Sequence, residues 1–293
     1  MLHHPYKRYN MTYIRGDLFA EIADFCYTDP TNGNDNEQFP NTFSRKAVEA
    51  FDGIPLIYTC TCNCEAILQL IIPIKKKTLL VTHSTDWKIT EERYNKLPCN
   101  VIRWFSPNVA FNGERLQSVP LGLETLQRFT FHHIHKIEKM QAKVQEDKTY
   151  KNMVFMCHSS HQANIADREE AYKILGNRSF VTSIYHPNIF AFDNYIDNIY
   201  RHKFVICPEG SGIDCHRTWE CLYLDSIPIM KRNINTSYYE DLPICFIESW
   251  EQVTEKFLSN EYERIINSEW NLNKIDFEYW KQHIQQLKNE HAS

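Results

Sequence analysis

Apolar runs and polar breaks alternate along the second half of the chain in the rhythm of a parallel sheet. "MVFMC", "KFVIC" and "IPIM" are short continuous apolar runs, the pattern of strands buried on both faces. Between them "ADREEAYKILGN", "FDNYIDNIYRH" and "DCHRTWECLYL" carry helical patterns, the first ending at Gly176-Asn177. "EDLPICFI" and "SWEQVTEKFLS" repeat strand then helix, and Asp276 to Asn289 reads as a terminal helix. Strands alternating with helices predict an α/β fold with a parallel sheet.

The first half is less regular. "YTDPTNGNDNEQFPNTF" (Tyr27 to Phe43) is rich in turn residues and reads as a loop, followed by a short helix, "RKAVEAF". "IPLIYTCTC" (Ile54 to Cys62) is strand-like, "EAILQLIIPI" fits helix or strand, and Thr78 to Thr82 is a clear buried strand. "NVIRWFSPN" and "LQSVPLG" give two more short extended segments, and Leu126 to Asp147 has helical spacing. "EDKTYKN" then breaks the pattern. The expected organisation is two α/β domains, residues 1–148 and 149–275, with a C-terminal helix over 276–293 packing back on the first.

Composition narrows the class. The chain has 293 residues, 43% hydrophobic and 24% charged, with a formal net charge of -5, ordinary values for a globular protein. No basic stripe stands out, which argues against nucleic acid as a partner. No stretch approaches the ~20 apolar residues of a membrane span. The N-terminus lacks the apolar core of a signal peptide, so reduced thiols and a cytoplasmic location are expected for the ten cysteines. Cys60, Cys62 and Cys64 alternate along an extended run and would share one side. A zinc site wants four ligands, and small buried apolar side chains are the competing reading.

Charge concentrates in "CPEGSGIDCHRTWECLYLDSIPIM", Cys207 to Met230. A buried strand feeds a turn with Gly210 and Gly212, which permit positive φ and close approach of a ligand to the backbone. Asp214 is placed as an N-cap, with the helix starting at Cys215. Ligands of parallel sheets bind beyond the carboxyl ends of the strands, where helix amino ends favour phosphate. His216, Arg217 and Glu220 share one helix face. Arg217 suits a diphosphate, and Glu220 suits the neighbouring hydroxyls of a ribose. The plain alternative is a surface Arg217–Glu220 ion pair beside glycines that only turn the chain.

That block resembles the signature of exostosin-like glycosyltransferases: a strand, P-x-G-x-G-x-D-x-H-R-x-W-E, a helix, then "IPI". "LLVTHSTD" (Leu79 to Asp86) resembles the family's TH-x-x-D segment. "WFSPN" (Trp104 to Asn108) with "VPLGLE" (Val119 to Glu124) resembles segments of bacterial and viral relatives. "FMCHSSHQANIADRE" resembles the N-x-x-x-R start of the second domain, with Asn164 and Arg168 in the matching places. The resemblance covers Thr78 to Ile247 in ordered pieces and is strongest to soluble viral and bacterial members, capsid-glycan enzymes of large DNA viruses among them. It implies a GT-B architecture of two Rossmann-like domains facing a cleft. The implied activity is an inverting transfer from a nucleotide diphosphate sugar, UDP-linked (UDP-xylose, for example), to a glycan hydroxyl. No bound metal is implied, and for a viral enzyme the location would be the host cytoplasm. A catalytically inactive glycan-binding relative and a GDP-sugar enzyme are the alternatives.

Transfer needs a base and a positive cradle for the leaving diphosphate. Asp86 and His83, at the end of "LLVTH", are the candidate bases. The plain readings are a turn cap for Asp86 and a satisfied histidine for His83. Glu209 in the donor loop is the rival base, or a ligand for a donor hydroxyl. The donor set is expected to comprise Arg168, Asn164, Ser159, Tyr185, Glu209, Gly210, Ser211, Gly212, Asp214, His216, Arg217 and Glu220. Asn108 is the acceptor candidate. A metal would need clustered carboxylates; Asp193 and Asp197, spaced as D-N-Y-I-D, sit instead in a helical run.

Overall fold

The computed structural model describes residues 11–29, 39–125, 134–158, 165–185 and 192–292. In chain order the elements are α1 (Gly16–Glu21), β1 (Phe25–Tyr27), α2 (Arg45–Ala50), β2 (Leu56–Cys60), α3 (Cys64–Ile71), β3 (Thr78–His83), α4 (Glu91–Tyr94), β4 (Val101–Ser106) and β5 (Leu116–Ser118). The second half holds α5 (Ile134–Lys143), β6 (Asn152–His158), α6 (Ile165–Leu175), β7 (Val181–Tyr185), α7 (Phe192–Tyr200), β8 (His202–Ile206), α8 (His216–Tyr223), β9 (Ile227–Lys231), β10 (Cys245–Ile247), α9 (Glu255–Ile266) and α10 (Phe277–His291).

The strands form two five-stranded sheets, β1-β2-β3-β4-β5 and β10-β9-β8-β6-β7, and every pairing is parallel. This is the α/β architecture of two Rossmann-like units that the sequence predicts. β2 and β3 are buried at every position, as central strands covered on both faces must be. "EAILQLIIPI" resolves as helix because Cys64, Ile67, Leu68 and Ile71 recur at helical spacing and all four are buried. The region read as a loop from Tyr27 begins with the last residue of edge strand β1, which pairs Phe25 with Ile57. α1 was not visible in the sequence. The cysteine run does not alternate on one strand face: Cys60 ends β2, Cys62 lies in a 3-10 turn and Cys64 opens α3, all three buried.

In the second sheet the strand order reverses at β6, which has β7 on one side and β8 on the other. Such a reversal is the usual ligand position in an open parallel sheet.

The two halves share one apolar core. A single cluster joins Tyr58, Leu79, Val81 and Phe105 to Phe155, Val205, Cys207 and Trp219. Tyr223 of α8 stacks on Tyr13 with ring centroids 4.3 Å apart, and its hydroxyl accepts the Ile14 N–H at 3.0 Å. α10 returns to the first half: Lys288 binds Asp24 at 2.6 Å, and Phe277 N–H donates to Thr12 O at 2.9 Å. α5, which the sequence places before the 148/149 boundary, bonds into the second half. Lys136 pairs with Glu220, and Lys143 with Asp197 at 3.0 Å. Among the described residues no helix is long and apolar enough to cross a membrane.

Candidate functional site

A cavity of about 420 Å³ opens at the strand-order reversal of the second sheet, facing the carboxyl ends of the first. From the second half it is lined by Gly210, Ser211, Gly212, Asp214, Cys215, His216, Arg217 and Glu220, by Arg168 from α6, and by Tyr195 from α7. From the first half come Asp86, Leu121 and Glu124.

The two guanidiniums set the character of the site. Arg168 is 5% exposed, and its Nε donates to the Glu209 carbonyl at 3.1 Å. Burial and the adjacent Arg217 charge both lower Arg168 from its ordinary value. Arg217 Nε is buried and has no hydrogen-bond partner among the described residues. A buried donor of that kind calls for an acceptor, and two neighbouring guanidiniums call for an anion.

The carboxylates around them are engaged differently. Glu220 is buried, bound by Lys136 and by the Tyr195 hydroxyl at 2.6 Å. Burial alone would raise Glu220, but Lys136 and Tyr195 outweigh it and hold the carboxyl down at about 2. Glu124 lies 3.1 Å from His216 Nε2, while His216 Nδ1 donates to the Gly122 carbonyl at 2.7 Å. Both ring nitrogens therefore face acceptors, which the imidazolium satisfies. Burial opposes that charge, yet Glu124 prevails and His216 is raised. Asp86 is exposed and lines the cavity from the first half. Trp87 beside it is 41% exposed and stacks with Arg93, whose Cζ lies 4.9 Å from the ring centre.

Several sequence expectations change. Asp214 does not cap the helix: α8 starts at His216, with Cys215 at the N-cap position. The Asp214 carboxylate instead accepts the Trp219 indole N–H at 2.9 Å and the Leu121 N–H at 2.9 Å, tying α8 to the first half. Burial pushes Asp214 up to about 6 against those bonds. Gly210 and Gly212 do not adopt positive φ. Gly212 is needed for close approach, because a Cβ there would lie 2.5 Å from Asn108 Oδ1.

His83 does not face the cleft. It is 1% exposed, its Nε2 donates to Pro120 O at 3.0 Å, and its Nδ1 accepts the Ser84 N–H at 2.7 Å. Both nitrogens are committed, and burial lowers the ring to about 4. It is a satisfied core histidine rather than a base. Asn108 is fully buried with φ 61, its Nδ2 donating to Thr85 O at 3.0 Å and its Oδ1 accepting the Asp214 N–H at 2.8 Å. No acceptor sugar can reach it. Glu209 is not among the residues that line the cavity; its carboxylate lies 3.6 Å from Lys88 and accepts the Asn233 amide N–H.

Ser159 and Asn164 lie outside the described residues, as does the side chain of Tyr185. Asp197 is held by Lys143, Lys151 and Arg201. The Cys215 thiol is pushed up to about 12 by burial, which removes it as a nucleophile. Sequence reasoning missed Tyr195, Glu124 and Lys136 as parts of the site. Glu124 ends the "VPLGLE" motif and carried a signal. Tyr195 and Lys136 meet Glu220 from 25 and 84 residues away, with no local pattern to mark them.

No protein-family model matches the chain, and no curated protein matches it. Solved structures do. The chain is similar to an α1,3-fucosyltransferase crystal structure, with TM-score 0.46 and 13% identity, over 86% of this chain and 80% of that one. It is similar to the trehalose-6-phosphate phosphatase N-terminal domain of Candida albicans, with TM-score 0.45 and 10% identity, over 85% and 74%. It is also similar to Anabaena Alr3699/HepE in complex with UDP-glucose, with TM-score 0.40 and 9% identity, over 82% and 80%.

Proposed function

We propose that the protein is an inverting glycosyltransferase that moves a sugar from a nucleoside diphosphate sugar, UDP-linked, to a glycan hydroxyl. The observation that carries this reading is the placement of Arg168 and Arg217 side by side, beyond the carboxyl ends of β6 and β8 and at the amino end of α8. Guanidinium forks and free helix N–H groups there suit a diphosphate. The sequence resemblance to exostosin-like enzymes supports the same assignment.

In this scheme the diphosphate rests on the arginine wall and Glu220 accepts hydrogen bonds from the ribose. Asp86 lines the same cavity from the first half. Its carboxylate takes the proton of the acceptor hydroxyl as that oxygen bonds to the anomeric carbon. The bond from the anomeric carbon to the diphosphate breaks on the other side, and the released charge is stabilised by Arg168 and Arg217. With the base supplied by the first half and the diphosphate held by the second, an in-line attack gives displacement with inversion. The guanidiniums supply the countercharge, so no divalent cation is assigned a step. The exposed ring of Trp87, next to Asp86, offers a face to an acceptor sugar.

The test is release of nucleotide from a panel of UDP- and GDP-sugars, with and without a chelator. Slow UDP release that survives chelation is expected. Nucleotide binding without turnover on any donor or glycan would point to an inactive binder, and no binding at all would overturn the reading.

A further inference from the structure

Glu220 is on the wall of the site cavity yet is only 4% exposed. Its two oxygens are approached from two other helices. Lys136 Nζ of α5 binds Oε1, and the Tyr195 hydroxyl of α7 donates to Oε2 at 2.6 Å. Each carboxylate oxygen offers two lone-pair directions, so each retains acceptor capacity after these bonds. Lys136 is itself 6% exposed. An ammonium buried at that depth must serve a buried anion, and Glu220 is the anion it touches.

The other titratable groups around Glu220 are otherwise employed. His216, on the same helix, is paired with Glu124 and acts on Glu220 only as a lesser, through-space charge after Lys136 and Tyr195. Arg217, also on α8, faces the cavity beside Arg168. Cys157 of β6 is held as the neutral thiol by burial, and Tyr195 as the neutral phenol, also by burial. Lys136 is the cation in direct contact with the Glu220 carboxylate and the strongest charge acting on it. Without it, a carboxyl this deep would favour its protonated form at neutral pH and lose an acceptor.

We propose that Lys136 is a positioning residue for nucleotide recognition: it keeps Glu220 a carboxylate, with Tyr195 fixing its plane, so that the remaining lone pairs accept the ribose hydroxyls of a nucleoside diphosphate. The inference rests on the reading that the nucleotide binds in this cavity. It gives α5, which precedes the second sheet in the chain, a part in donor recognition by that sheet, exerted through Glu220.

The test is calorimetric titration of UDP, GDP and 2'-deoxy-UDP from about pH 5.5 to 8.5. The proteins are wild type, Lys136→Met, Lys136→Arg and the double variant Lys136→Met/Glu220→Gln. Titration of the nucleotide phosphates is common to all four proteins, and affinity is read as the ratio of each variant's Kd to that of wild type. His216 feels the Lys136 charge, so the double variant, which also lacks that charge, serves as the reference that separates Glu220 from His216. In Lys136→Met that ratio should be roughly 10-fold at the acid end and shrink as pH rises and Glu220 ionises. Lys136→Arg should follow wild type, and the double variant should bind weakly by the same factor at every pH. A Lys136→Met ratio that does not change with pH, or affinity equal to wild type throughout, would overturn the proposal. If Lys136→Met fails to fold, the readout is preference for UDP over 2'-deoxy-UDP. Preference kept in Lys136→Arg and lost in the double variant supports the proposal; preference lost in Lys136→Arg, or kept in the double variant, overturns it. Wild type that binds neither UDP nor GDP would sink the underlying nucleotide reading itself, a result distinct from any of these.

Discussion

The backbone N–H of Asp214 donates to Asn108 Oδ1 at 2.8 Å, joining the loop before α8 to the turn after β4. Asn108 holds this position with φ 61, a conformation that asparagine tolerates better than most residues. Its amide also reaches Thr85 O, next to Asp86. One side chain therefore sets the distance between the proposed base and the diphosphate wall.

Removing that side chain should loosen both walls. Asn108→Ala is expected to cost about 1–3 kcal/mol through the stranded Asp214 N–H and Thr85 carbonyl, read by urea unfolding, and to weaken UDP binding. Gly212→Ala should also destabilise, because the new methyl meets Asn108 Oδ1. In an Asn108→Gly background the same change should cost less. Additive effects in that double-mutant cycle would contradict the contact.

Asp86→Asn should lower turnover by roughly 10²–10⁴, the usual contribution of a positioned base, while UDP affinity stays close to wild type. Initial rates with saturating donor, alongside calorimetry, separate the two. A variant with wild-type turnover would remove Asp86 from the chemistry.

Arg217→Ala should weaken UDP by roughly 10–100-fold, as expected for lost hydrogen bonds to a charged group. Uridine affinity should change little. Arg217→Lys should restore only part of the loss, since an ammonium cannot present the guanidinium fork. Equal losses for UDP and uridine would mean that Arg217 acts on the fold rather than on the phosphates.

Acid should destabilise the fold through its buried histidines. Burial lowers His83 to about 4, and burial together with the Arg217 charge lowers His158 to about 4, against an ordinary 6.5. The unfolded chain therefore takes up these protons first. Stability is full above pH 6.5 and is lost as pH falls toward about 4, by up to roughly 3 kcal/mol for each ring. Asp214 acts in the opposite sense: raised to about 6, it gains its proton in the folded state first and offsets part of the loss between about 6 and 3.8. Urea unfolding at several pH values should show a net fall, with a shallower slope in His83→Gln. An unchanged slope in that variant would contradict the buried neutral ring.

The loop and helix from Cys207 to Met230 were legible because a continuous apolar run, two glycines and a polar helix face are local patterns. α3 was ambiguous because an apolar run does not reveal its period until its neighbours are known. His83, Asn108 and Asp214 misled for a shared reason. Polar residues near strand ends look like cleft residues, but here their hydrogen bonds are spent inside the protein: His83 on Pro120 within the first half, and Asn108 and Asp214 on bonds that join the two halves, with partners 37, 106 and 93 residues away. Tyr195 and Lys136 were hidden by the same distance. β1 and α1 are too short to leave a periodic trace.

The most direct measurement is a structure of the protein with UDP bound. The account predicts diphosphate oxygens within hydrogen-bond reach of both Arg217 and Arg168 at the amino end of α8, with the ribose against Glu220. A diphosphate seated in the first half of the cleft, or held away from both guanidiniums, would contradict it.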